Sequence, residues 1–183
     1  MLWEVDIFPM KGQPDLDGRR VVAEAVELGL PADFTVASAS GYLLQGALDA
    51  KGVRTLAARL LSDPVSQRTV VGRPDEPTMF ATPENDDRLV HVVPRAGVMD
   101  PVAQSALAAA TDMGFAVEAA RTLRKYWISG LNDDQFQQLC SRVLANDAVE
   151  QVVVGKLPFD QIEIGSPYRF ALLSASILGL DDE

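Results

Sequence analysis

Apolar and polar residues alternate at the start of the chain, and the pattern then changes to a helical spacing. Val5 and Ile7 alternate with Glu4 and Asp6, which is the period of two of a half-buried strand. Asp15 stands where a helix N-cap is expected, ahead of apolar positions three and four residues apart. The apolar stripe of that helix comprises Val21, Val22, Ala25 and Leu28. The pattern predicts a strand followed by an amphipathic helix.

The same pattern returns later in the chain, at a distance of 85 residues that becomes 84 and then 83 after two one-residue slips. The pairs that differ by 85 are Pro9 and Pro94, Gly12 and Gly97, Asp15 and Asp100, and Gly29 and Gly114. The last pair of glycines is predicted to end two helices, because glycine readily adopts the left-handed conformation at that position. The stripe of the second such helix comprises Ala106, Leu107, Ala110 and Met113. The chain is therefore predicted to contain one folding unit of about 70 residues twice.

Two further strands, a second helix and a last strand complete each predicted unit. The two strands are expected to form hairpins, at residues 34–39 with 42–45 and at residues 117–122 with 125–128. Asn132 and Gln135 resemble a capping box at the start of a helix. The stripes of the second helices comprise Val53, Leu56, Ala57, Leu60 and Leu61, and then Phe136, Leu139, Cys140, Val143 and Leu144. The last strands are predicted at residues 65–71 and 149–154.

Each unit is thus predicted to fold as β-α-β-β-α-β, an α+β arrangement with an antiparallel sheet and both helices on one face. A unit of this size has a marginal core, so we expect the two to pair about a pseudo-two-fold axis. The predicted divisions are 1–72 for the first repeat, 73–88 for an acidic, proline-rich linker, 89–155 for the second repeat and 156–183 for an extension. Residues 161–164 form a candidate extra strand in the extension.

Charge and composition narrow the class of function. The chain has 16 basic and 26 acidic residues and a net charge of −10, which makes it a poor candidate for binding nucleic acid or an anionic membrane. No stretch approaches the roughly 20 apolar residues of a membrane span. The first residues carry acids and lack the basic segment of a signal peptide. Cys140 is the only cysteine, which excludes an intrachain disulfide and agrees with a reducing cytoplasm.

The sequence offers no recognisable catalytic set or metal site. His91, the only histidine, is predicted to face solvent on a strand, with no nucleophile at a readable spacing to serve. Cys140 lies on an apolar helix stripe and is predicted to be a small buried core residue. The glycine and lysine at residues 155 and 156 lack the other residues of a phosphate loop. The acidic runs at residues 84–87 and 181–183 lack the spacing of a calcium loop, so solvated charge is expected there.

One basic and aromatic cluster stands out in this acidic chain. It comprises Arg121, Arg124, Lys125, Tyr126 and Trp127. In one interpretation these residues contact an anionic ligand or an acidic partner, with the two aromatic side chains as interface anchors. In the other they form a solvated turn whose aromatic side chains pack in the core of the paired units. The first unit lacks the basic residues, so a site at this position would be single.

The second unit resembles the PurS family, the small subunit of phosphoribosylformylglycinamidine synthase. The resemblance covers about residues 89–155 and rests on four stretches, H-V-V-P-R-A-G-V-M-D-P, M-G-F, R-T-L-R-K-Y-W and C-S-R-V-L-A-N-D-A-V-E. The first unit, about residues 2–72, resembles the family more faintly and lacks the G-V-x-D-P motif. Two such units in tandem resemble the N-terminal region of large, single-chain forms of this synthase, with residues 156–183 leading toward a PurL synthetase domain.

The resemblance implies a non-catalytic assembly module of purine biosynthesis. It implies two partners, the ATP-dependent synthetase PurL and the glutaminase PurQ, with a role in ammonia transfer between them. It also implies that ATP and magnesium act in the partner synthetase and that this segment holds no cofactor. Arg121, Lys125 and Tyr126 lie in a family-like stretch and are the contacts that the resemblance favours.

Two other classes of function stay open from the sequence. Paired β-α-β-β-α-β units of the ACT type bind small molecules at their interface, which would make the chain a regulatory module stabilised by a metabolite. An independent enzyme would need a polar cluster that the sequence does not reveal. The sequence also leaves open whether Glu183 is the natural end.

Overall fold

A computed structural model of the chain describes residues 1–81, 87–158 and 160–162. Its strands are β1 (Leu2–Pro9), β2 (Thr35–Gly46), β3 (Gln67–Gly72), β4 (Arg88–Pro94), β5 (Val117–Ser129) and β6 (Glu150–Val154). They form one antiparallel six-stranded sheet in the order β3-β1-β2-β5-β4-β6. The two halves of the chain therefore meet at the centre of a continuous sheet, where β2 lies beside β5.

Five α-helices accompany the sheet within the described residues. They are α1 (Leu16–Glu27), α2 (Ala50–Leu56), α3 (Pro77–Phe80), α4 (Pro101–Asp112) and α5 (Asp133–Leu139). Helices α2 and α5 each continue as one π-helical turn, at Ala57–Leu61 and Cys140–Leu144. The mixed α+β class predicted from the sequence is confirmed.

The predicted helix ends are confirmed by their capping contacts. Asp15 caps α1 by accepting from Gly18 N, and Asp100 caps α4 by accepting from Ala103 N. Gly29 follows α1 with a φ of 88° and Gly114 follows α4 with a φ of 82°. Asn132 and Gln135 form the capping box of α5.

The two predicted hairpins are wrong, because each is one continuous strand. Strands β2 and β5 contain 12 and 13 residues and pair with each other from Thr35 opposite Ser129 to Gly46 opposite Val117. Gly41 lies in the middle of β2 between Asp6 and Leu123, and it makes no turn. A Cβ built on Gly41 would lie 2.3 Å from the carbonyl oxygen of Val5, so this glycine permits close approach of two strands. Each half therefore contributes three strands rather than four.

The four longer helices cover one face of the sheet and exchange partners between the halves. Val21 and Ala25 of α1 pack in a cluster with Phe136 and Leu139 of α5. In a second cluster, Ala110 of α4 packs with residues of α2. The first helix of each half thus buries its apolar stripe against the second helix of the other half, and the cores of both clusters contain residues from both halves.

The opposite face of the sheet is also covered, which corrects the prediction that helices lie on one face only. Met79 of α3 is buried there, and Phe80 packs against Trp127 and its neighbours. Leu157 and Ile162 pack on the same face with Leu2 and other residues. Both faces of the central strands are therefore shielded from water.

Several sequence predictions fall wholly or partly outside the described residues. The candidate strand at 161–164 is described only for Gln161 and Ile162, which form no strand. Of the acidic runs, only Asp87 lies within the described part of the chain. Strands β3 and β6 begin at Gln67 and Glu150, one or two residues after the predicted starts.

Candidate functional site

Four ionisable side chains meet on the face of the sheet opposite the longer helices. This buried charge cluster comprises Glu4, Asp6, His91 and Lys125, and none of the four is more than 2% exposed. The Lys125 ammonium donates to Glu4 Oε1 at 2.6 Å and to Asp6 Oδ2 at 2.7 Å. It also donates to the carbonyl oxygen of Met79, in α3. The cluster therefore joins β1 of the first half to β5 of the second half.

Lys125 reaches the carboxylates by crossing strand β2. Its partner in the ladder is Ala39, and the partner of Asp6 is Gly41, two residues further along the same strand. Side chains two residues apart share one face of a strand, and here both are small. The lysine stem can therefore pass over β2 to the carboxylates of β1.

His91 lies beside Lys125 and not in solvent, which corrects the prediction made from alternation alone. The two residues are direct partners in the ladder between β4 and β5. His91 Nδ1 is 2.9 Å from the carbonyl oxygen of Gly155, and Nε2 is 3.6 Å from Glu4 Oε1. Alternation placed His91 correctly on the face opposite the valines, but it could not show that Gly155 and Leu157 lie on that face.

The pKa values of the two carboxylates in the cluster are shifted in opposite directions. Burial raises the pKa of Glu4, but His91 and the charge of Lys125 outweigh burial and hold that pKa below its usual value. Burial and the neighbouring Glu4 charge raise the pKa of Asp6 to about 7, against the opposing effect of Lys125. Asp6 Oδ1 and His91 Nε2 are buried and make no hydrogen bond within the described residues. One lysine thus neutralises one carboxylate, and the second carboxylate retains a proton more readily.

The predicted basic and aromatic cluster is divided between the two faces of the sheet. Lys125 and Trp127 are buried on the face of the charge cluster, where Trp127 Nε1 donates to the carbonyl oxygen of Ala81. Arg121 donates to the carbonyl oxygen of Pro94 at 3.3 Å. These residues form a strand and not a turn, because β5 continues through them. Their role in contacting a ligand or partner stays a prediction.

On the helix face, Arg124 and Tyr126 bind acidic residues. Arg124 donates to both carboxylate oxygens of Glu150, at 2.7 and 2.8 Å. Tyr126 donates from its hydroxyl to Asp17 at 2.9 Å. Burial, opposed by Arg124 and assisted by Asp17, raises the pKa of Tyr126 to about 12. Tyr126 therefore remains a neutral hydrogen-bond donor that holds α1 on β5.

The N-cap aspartates also fix their helices to the central strands. Asp15 accepts from the backbone nitrogen of Ser38 at 2.6 Å, and Asp100 accepts from that of Thr122 at 2.8 Å. Each also accepts from the hydroxyl of the same residue. Ser38 lies beyond the stretch of β2 that pairs with β1, so the aspartate satisfies a donor that no strand bonds.

A crevice of about 520 Å³ lies on the helix face beside the start of α1. Its lining includes Pro9, Asp15, Leu16, Ser40 and Arg124. The residues of the buried charge cluster do not line it.

Two corners of the surface expose apolar side chains at corresponding places in the two halves. Each corner combines the start of the first helix with the turn before the last strand. The first corner comprises Leu16 and Val65, exposed by 70% and 83%, and the second comprises Met99, Val102 and Val149. Hydrogen bonds join the end of the first strand of each half to the turn before its last strand, from Met10 N to Ser66 O and from Arg95 N to Val149 O.

No catalytic or metal-binding arrangement emerges among the described residues. Cys140 is buried as predicted, and burial raises the pKa of its thiol to about 11, against the small effect of Arg88. No group of three or more His, Cys, Asp or Glu side chains in the described ranges is placed to hold a metal ion. Within the same ranges, no helix has the length and apolar character to cross a membrane.

The structure is that of a mixed α+β protein with a shared central sheet and two corners that expose apolar side chains. Residues 88–156 match the family model described as PurS, phosphoribosylformylglycinamidine (FGAM) synthase. The matched segment runs from the start of β4 to just beyond β6 and is therefore PurS-like. The match implies involvement in FGAM synthase, a ligase complex of purine biosynthesis, and hence protein partners. A comparison with curated proteins gave no match.

Sequence reasoning found the strand that carries Lys125 but missed the cluster around it. Glu4, Asp6 and His91 all looked solvent-facing because they alternate with buried apolar residues. A usable signal was present in the flanking residues. On the same strand faces, Glu4 and Asp6 lie between Leu2 and Phe8. Large apolar residues on both sides of charged ones indicate that this face is buried as well.

Proposed function

We propose that the chain is a non-catalytic assembly module of FGAM synthase that bridges the synthetase PurL and the glutaminase PurQ and assists ammonia transfer. The observation that carries this proposal is the PurS match at residues 88–156. ATP and magnesium would act in the synthetase, and a cytoplasmic location stays a prediction.

We further propose that residues 1–72 are a second PurS-like repeat and that the two repeats form a pseudo-dimer in one chain. The strand registers support this. Asp6 pairs with Gly41, and the residues 85 and 84 positions later, His91 and Lys125, also pair. The strand order and the exchange of helices between halves have the same two-fold character.

The two exposed corners supply a physical basis for bridging. A module that joins two proteins needs two separate contact surfaces, and corresponding corners of a paired fold provide them. Arg121 and Arg124 are only partly buried and can also contribute at such surfaces. Lys125, Tyr126 and Trp127 would support the contacts from within the fold.

A sizing-column experiment tests the bridging proposal. The chain is mixed with a synthetase that lacks a PurS-like region and with a glutaminase, in the presence of glutamine and ADP. We expect the three to elute together, and we expect Val65→Asp and Val149→Asp each to weaken binding of a different partner. Val26→Asp, at an exposed apolar residue of α1 outside both corners, is the control. Independent elution of the unmodified chain would count against the proposal.

A regulatory small-molecule module is the second candidate, and the crevice beside α1 is the observation that favours it. An ACT-like function predicts that a metabolite raises the melting temperature by mass action. A thermal-shift screen of amino acids and nucleotides provides the test, with Ser40→Trp to fill the crevice. A shift that the unmodified chain shows and Ser40→Trp lacks would support this candidate, and no shift with any compound would remove it.

A further inference from the structure

The buried charge cluster takes its two signs of charge from different halves of the chain. Glu4 and Asp6 come from β1, and Lys125 comes from β5. The two-fold relation that the strand registers suggest gives each of these residues a counterpart in the other half. The counterparts of Glu4, Asp6 and Lys125 are Leu89, His91 and Gly41. The first half therefore supplies only carboxylates, and the second half supplies the ammonium.

We propose that this cluster makes the two halves mutually selective, so that each half pairs with the other and rejects a second copy of itself. The proposal rests on the proposed equivalence of the two repeats. It does not depend on which proteins the chain assembles with. Strand β2 of the first half therefore fits a half that places one lysine opposite Ala39. Strand β5 of the second half fits a half that supplies two carboxylates.

Pairing of two first halves would bury acid without a cation. Such a pair would place two copies each of Glu4 and Asp6 on one face, with Gly41 in place of Lys125 on both central strands. Buried ionised carboxylates are strongly unfavourable unless they are paired or protonated. The raised pKa of Asp6, even with Lys125 present, shows how poorly this face tolerates a second negative charge.

Pairing of two second halves would bury two ammonium groups without a carboxylate. Lys125 lies opposite Ala39, and its counterpart Gly41 lies two residues further along that strand. The two lysines of such a pair would therefore be diagonal neighbours, with their Cβ atoms about 7 Å apart. Leu89 and His91 would replace the carboxylates, so neither lysine would have an acidic partner.

Shape adds to the charge preference at the same position. Lys125 crosses β2 where Ala39 and Gly41 leave room for its stem. In a pair of second halves, each lysine would cross beside the other on one face and compete for the same space. A mixed pair has one crossing lysine and one glycine, so the asymmetry of this position favours the mixed pair through both charge and volume.

A nicked form of the complete chain tests the selectivity. A protease site is inserted within residues 82–86, the folded protein is cut, and the two pieces are unfolded together and refolded by dilution. Native mass spectrometry then distinguishes mixed pairs from pairs of like halves by mass. The nicked chain retains all its native residues, so failure of partner binding in the sizing experiment would not affect this readout.

We expect the unmodified pieces to form mixed pairs in at least about a hundredfold preference over pairs of like halves. In a neutral variant with Glu4→Leu, Asp6→Val and Lys125→Met, we expect pairs of like halves to appear at readily measured levels. A control variant with Leu43→Met and Leu123→Met, on the same face of the central strands, should keep the preference. Pairs of like halves from the unmodified protein, or their absence from the neutral variant, would overturn the proposal.

Discussion

The two halves of the chain are alike at the starts of α1 and α4, but they differ at the centre of the sheet. At the helix starts the halves use the same residue in the same way, because Asp15 and Asp100 each cap a helix and bind a central strand. At the sheet centre the halves differ, because the counterpart of Lys125 in the proposed repeat is Gly41. Shared contacts set the shape of each half, whereas the differing contacts join one half to the other.

Removal of the Lys125 ammonium group, which only the second half supplies, should lower the stability of the chain most. Lys125→Met leaves Glu4 and Asp6 buried without a cation, and breaking a buried pair in this way costs about 3 to 5 kcal/mol. The free energy of unfolding, measured by urea denaturation of the intact chain, should fall by about that amount. Addition of Glu4→Leu and Asp6→Val should recover most of the loss. No recovery would show that the lysine acts through packing and not through charge.

Gly41→Ala should be nearly as damaging, although it adds only a methyl group. Its Cβ would lie 2.3 Å from the backbone oxygen of Val5, and backbone cannot move aside as a flexible side chain can. We expect a loss of about 3 kcal/mol by urea denaturation, the upper end for overpacking. Gly52→Ala in α2 is the matched control, since the nearest atom to its Cβ would be a side-chain oxygen at 3.1 Å. Equal stability of the two variants would contradict the close approach of β1 and β2.

The N-cap aspartates make the same contacts in both halves, so their removal should cause two similar losses of stability. Asp15→Ala and Asp100→Ala each remove a cap and leave a strand nitrogen without its acceptor, for a loss of about 2 kcal/mol each. Thermal or urea unfolding should give similar values for the two variants. Asp49→Ala removes the cap of α2 alone and should cost less, because Asp49 binds only Gly52 N in the described structure. A large difference between the first two variants would break the correspondence between the halves.

The sequence predicts most of the local structure because that structure depends on local chemistry. Both N-cap aspartates, the capping box of α5 and the two glycines after α1 and α4 follow from residues within one turn of a helix end. The hairpins were predicted wrongly because a glycine such as Gly41 can either form a turn or permit two strands to approach closely. Only the neighbouring strand shows that Gly41 permits close approach. The first halves of both misread segments are rich in small or polar residues, which suit a turn and a central strand equally.

The candidate site was harder to predict because it depends on how the sheet is covered. Lys125 contacts Met79 of α3, and His91 contacts Gly155, just after β6; neither of these covering segments has a repeating apolar pattern. Each also lies at or after the end of a predicted repeat. A period-of-two pattern identifies which residues share a face, but it does not show what lies on that face.

The smallest expected effect concerns the second carboxylate of the sheet centre. The pKa of Asp6 is raised from 3.8 to about 7, so the folded chain binds a proton that the unfolded chain has released. The stabilisation by this proton is complete below the unfolded pKa and is lost as the pH rises through the folded value. Glu4 acts in the opposite sense, since its lowered pKa makes its contribution disappear only as the solution becomes more acidic than its unfolded value of 4.5.

Between about pH 6 and 7 the stability of the unmodified chain should therefore fall relative to that of Asp6→Asn by about 1 kcal/mol. Urea denaturation at several pH values measures this difference, and Asp112→Asn, at an exposed position, should reproduce the behaviour of the unmodified chain. A constant difference between the unmodified chain and Asp6→Asn would mean that Asp6 is ionised throughout. The sheet centre would then hold two full negative charges against the single ammonium group of Lys125.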